Sequence, residues 1–153
     1  MLDYTFNQYI QIALLGGFLG TSAMSGVLYL VTHSGYANCD MVRATGSLIT
    51  KSLDNSFQVG IIIHFISGII FSILYALVLD FLSVDTFQSA VGYGAALGVF
   101  HGAVVNFGLV ILVAEHHPLE QFQQFGFSVA IVHWGAHIVY GTVVGIAVGA
   151  VIS

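Results

Sequence analysis

FSVAIVHWGAHIVYGTVVGIAVGAVI, residues 127–152, is apolar over enough length to cross a bilayer, yet it sets His133, His137, Gly141, Gly145 and Gly149 at successive four-residue steps. Residues four apart share one face of a helix, so these five form a single stripe. Glycine on such a stripe lets a second helix approach closely, and an imidazole inside an apolar segment needs a partner. The stripe is therefore expected to face protein rather than lipid.

The rest of the chain reads in the same way. Of its 153 residues 58% are hydrophobic and 6% charged, with a mean hydropathy of +0.97, which excludes an ordinary soluble domain. Stretches Ile10 to Val31, Gln58 to Asp80, Ser89 to Val113 and Phe127 to Ile152 each reach the roughly 20 residues a helical span requires. The expected fold is all-α: one integral membrane domain over residues 1–153, built as a four-transmembrane-helix bundle. The residues before the first span carry no basic cluster of a signal peptide, so that span is read as retained. Asp54, Asn55 and Ser56 offer N-cap oxygens at the start of the second span.

An internal repeat organises the spans. His64-Phe65-Ile66-Ser67-Gly68-Ile69-Ile70-Phe71-Ser72 aligns with His133-Trp134-Gly135-Ala136-His137-Ile138-Val139-Tyr140-Gly141, and a shorter echo relates residues 16–20 to 94–98. Two tandem hairpins, about 10–80 and 89–152, follow, related by a pseudo-twofold along the membrane normal. His64 and His133 are then symmetry mates.

At 1.5 Å per residue, His64 and His133 sit about 9 Å below one membrane face, His137 about 15 Å and His101 about 18 Å. Each lies on or beside a row of small residues. Converging at the bundle axis, these four would offer nitrogen ligands to a transition metal, Zn, Cu or Fe, for redox chemistry or metal handling. Above them, Glu115 and His116 are candidate shallower ligands at a mouth shared with His33, Cys39 and Asp40. Hydrogen bonding alone is the plainer account of an intramembrane histidine, and Ser67, Ser72, Asn106 and Tyr140 are available partners.

Two other functions fit parts of the pattern. His64 and His133 at equal depth suit axial ligation of one haem b or a chlorophyll-type pigment in an electron-transfer subunit. The four-span, histidine-bearing layout resembles small b-type cytochromes in outline, although the long spacing that stacks two haems on one helix is absent. A structural accessory subunit or homo-oligomer would account for the glycines alone. His-Glu-x-x-His, a P-loop and Gly-x-Ser-x-Gly are all missing, and a net charge of −5 with no basic cluster gives no case for nucleic acid. Arg43 and Lys51 place loops one and three in the cytoplasm and both termini outside, with the lipid bilayer as the surrounding partner.

Overall fold

The computed structural model describes residues 4–106, 108 and 111–153. Among these residues every regular element is helical, and three helices are long and apolar enough to cross a membrane: α1 (Phe6–His33), α3 (Ser56–Phe81) and α7 (Phe127–Ile152). α2 (Met41–Thr50) joins α1 to α3, α4 (Phe87–Val105) follows α3, and the short α5 (Ile111–His116) and α6 (Glu120–Gln123) lead into α7.

Local chemistry sets the helix ends. Thr5 opens α1 with a capping box, its hydroxyl taking the Gln8 N–H while the Gln8 side chain takes the Thr5 N–H. Thr86 does the same for α4 with Ser89. The expected N-cap oxygens of the second span are not used: Asn55 sits at the cap in a left-handed conformation, φ 58°, without a side-chain bond, and the Ser56 hydroxyl donates back to Leu53 O.

Two expectations change. The first loop contains a helix, α2, whose N-cap Asp40 accepts the Arg43 N–H and whose Met41, Ala44 and Ser47 are buried. The third predicted span, Ser89 to Val113, is described in two helical pieces. α4 ends at Val105, α5 starts at Ile111, and residues 107, 109 and 110 of the predicted span lie outside the described residues. α4 is not among the three helices that qualify as spans, being diluted by Gly92, Gly94, Gly98, Gly102, Gln88 and His101.

Those glycines decide the packing. α4 lies along α7, α7 along α1 and α1 along α3, whereas α3 and α4 barely touch. A Cβ built on Gly94 would sit 2.5 Å from Gly141 O, and one on Gly98 would sit 2.6 Å from His137 O. Backbone thus meets backbone on the stripe that the sequence singled out. α2 docks on α3 in the same fashion, with a Cβ on Gly46 reaching Gly60 N at 2.7 Å. Ile12, Leu79, Val144 and Val148 are fully buried in the hydrophobic core. At the far end, Tyr9 OH and Tyr4 N–H both donate to Asp80 Oδ2, and Tyr4 OH donates to Val84 O.

A side chain at these contacts forces the helices apart, and overpacking of this kind costs about 1–3 kcal/mol. Gly98→Val is expected to lower the thermal unfolding midpoint of the detergent-solubilised protein. Gly135→Ala, where an added Cβ meets nothing within 4 Å, is expected to leave it unchanged.

Candidate functional site

The four histidines named from sequence border one cavity. His64 comes from α3, His101 from α4, and His133 and His137 from α7; with Tyr140 they line a space of about 170 Å³. Met24 of α1 and Met41 of α2 complete its walls. The close α4–α7 approach makes this possible, because it brings the His101 and His137 rings to 4.8 Å, while His133 and His137, one turn apart, lie at 4.6 Å.

Hydrogen bonds fix which ring nitrogen is free. His133 Nδ1–H donates to Asn106 Oδ1 at 2.8 Å, and His137 Nδ1–H donates to the His133 carbonyl at 2.9 Å. Both acceptors are oxygens that can only accept, so each Nδ1 carries the proton and each Nε2 keeps its lone pair. His101 Nδ1 pairs with Tyr75 OH at 3.2 Å, and its ring stacks on Phe71 at 4.1 Å. His101 Nε2 and His64 Nε2 are buried without a protein partner. An unpaired buried polar atom costs about 1–3 kcal/mol, so these nitrogens ask for a ligand or water.

The expected hydrogen-bond partners divide. Asn106 does bond across to α7, but Ser72 donates to Ile12 O and Tyr140 donates to Gly68 O at 2.6 Å, so neither serves a histidine. Tyr75 was missed. Its signal was its position seven residues after Gly68, on the small-residue face of α3. Among the described residues, no three His, Cys, Asp or Glu side chains already stand as a ready-made set around one ion. The four imidazoles are gathered, yet not converged.

The predicted mouth is built differently. Glu115 and His116 are exposed and do not line the cavity. His117 is buried instead, accepting the Leu119 N–H at Nδ1 and donating from Nε2 to Ala44 O, 3.0 Å away on α2. It braces α2 over the cavity. His33, Cys39 and Asp40 line a separate outer recess that shares Val42 with the inner one. Cys39 is a free but buried thiol, its pKa raised by desolvation.

A family model described as a family of unknown function, DUF6789, matches residues 7–152, and the chain belongs to that family. Comparison with curated proteins and with solved structures gives no match.

His117→Ala removes the bond that pins α2, so hydrogen exchange at the α2 amides is expected to quicken by about tenfold, the equivalent of about 1.4 kcal/mol. Exchange in α7 is expected to stay as it was. Equal protection of α2 in both proteins would show that the brace is not used.

Proposed function

We propose that this family member is a multi-pass integral membrane protein that binds a transition metal ion in its histidine cavity, for redox chemistry or metal handling. The ligands are His64, His133 and His137, with His101 completing the set. The observation that carries this reading is the gathering of four imidazoles around one buried cavity, with Nε2 of His64, His133 and His137 making no protein hydrogen bond. Ligating imidazoles characteristically donate their other ring N–H to an oxygen, and the Asn106 and His133 carbonyl oxygens provide that orientation here. His64 makes no hydrogen bond to the described residues, so its imidazole is not committed to a protein partner.

In the same reading α4 is a fourth span. It follows α7 from Phe87 beside Gly149 to Gly102 beside Trp134, most of the length of that helix. The pairs α1–α3 and α4–α7 are then the two tandem hairpins, with His64 and His133 presented to one cavity from both. With Arg43 and Lys51 on the cytoplasmic side, the metal lies in the cytoplasmic half of the bilayer.

The cavity volume favours an ion over a macrocycle, since pockets for drug-sized ligands start at about 300 Å³. A purely structural subunit gains nothing from two imidazole nitrogens left unpaired in its interior.

Protein purified in detergent and loaded with Co(II) is expected to bind about one ion per chain and to show a ligand-field spectrum. His133→Ala combined with His137→Ala should abolish it. Asn106→Leu, which removes the acceptor that orients His133, should weaken binding about tenfold or more. Failure of the wild-type protein to retain any metal would overturn the reading, and a Soret band would assign haem in its place.

A further inference from the structure

We propose that the ion taken by this site is copper(I), held by thioether sulfur as well as imidazole nitrogen. This inference rests on the metal reading above and adds the ligand class and the ion. Of the three methionines in the chain, the two among the described residues are Met24 and Met41, and both line the histidine cavity. They arrive from different elements, α1 and α2, and each is only 3% exposed. Local sequence spacing did not place them together; the docking of α2 on α3 did.

The donor set decides the ion. Thioether sulfur is a soft, neutral ligand that adds little for Zn(II) or Fe(II) and selects Cu(I). The cavity also lacks a carboxylate among its lining residues, so the site presents only neutral donors. A monovalent ion loses less on leaving water for such a place than a divalent one.

Methionine is also a common filler of irregular core gaps, and leucine conserves its volume, so a Met-to-Leu change separates the two roles. Cu(I) is supplied without oxygen in competition with a chromophoric Cu(I) chelator, to wild type, Met24→Leu, Met41→Leu and the double variant. The expected result is a loss of Cu(I) affinity of at least tenfold in the double variant, with Co(II) binding unchanged. X-ray absorption of Cu(I)-loaded wild type should show a sulfur neighbour, retained in Cys39→Ser and lost in the double variant. An all-nitrogen copper shell in the wild type, or equal Cu(I) affinity with both methionines replaced, would overturn the inference while leaving Co(II) binding and the metal reading intact. If wild type binds neither Cu(I) nor Co(II), both fall.

Discussion

The backbone contact between α4 and α7 is the constraint on which the rest of the structure depends. In the membrane reading proposed above, helices gain little from leaving water, so they associate through close packing and interhelical hydrogen bonds. Gly94 and Gly98 press on Gly141 and on the His137 carbonyl with no room for a methyl group between. That approach sets His101 beside His137 and lets Trp134 Nε1–H donate to the Val99 carbonyl across the same seam. The imidazole cluster is therefore a consequence of glycine packing. Its geometry is no better than that seam.

Where the helices fail to close matters as much. α3 meets α4 chiefly through Phe71 and Tyr75 against His101, and above this contact the space between them stays open. α2 covers it, with Met41, Val42 and Thr45 turned inward and His117 holding its backbone from behind. A short amphipathic helix thus does what a longer interhelical contact would otherwise do. Thr21 Oγ1 and the Nε2 atoms of His64 and His101 are buried without protein partners.

The two ends of the bundle handle buried polarity in opposite ways. At one end Asp80 is 1% exposed and accepts from Tyr9 and Tyr4, and the Tyr4 phenol is pushed up to about 12 by burial and by Asp80 and Asp85. That end is satisfied from within and anchors the N-terminal residues. At the other end the imidazoles are oriented but left with free nitrogens. Ile12, Leu79, Val144 and Val148 belong to the fully buried core of the same bundle.

Periodicity and hydropathy determined the helical class, the bounds of α7 at 127–152 and the faces on which His64, His101, His133 and His137 lie, because a four-residue step fixes a helix face whatever surrounds it. Asn106 was legible too as an available hydrogen-bond partner, and the structure pairs it with His133 of α7. Spacing along one helix carries no information about which residue of another helix stands opposite. Hence Tyr75 beside His101, the two methionines in the cavity wall and the withdrawal of Glu115 and His116 came only with the tertiary structure. α2 was hidden for a related reason: ten residues are too few to show as a span, and its burial depends on Gly46 meeting Gly60, a contact between distant segments. His117 makes the same point, since its sequence neighbourhood reads as a polar helix end and only the carbonyl of Ala44, 73 residues away, turns it inward.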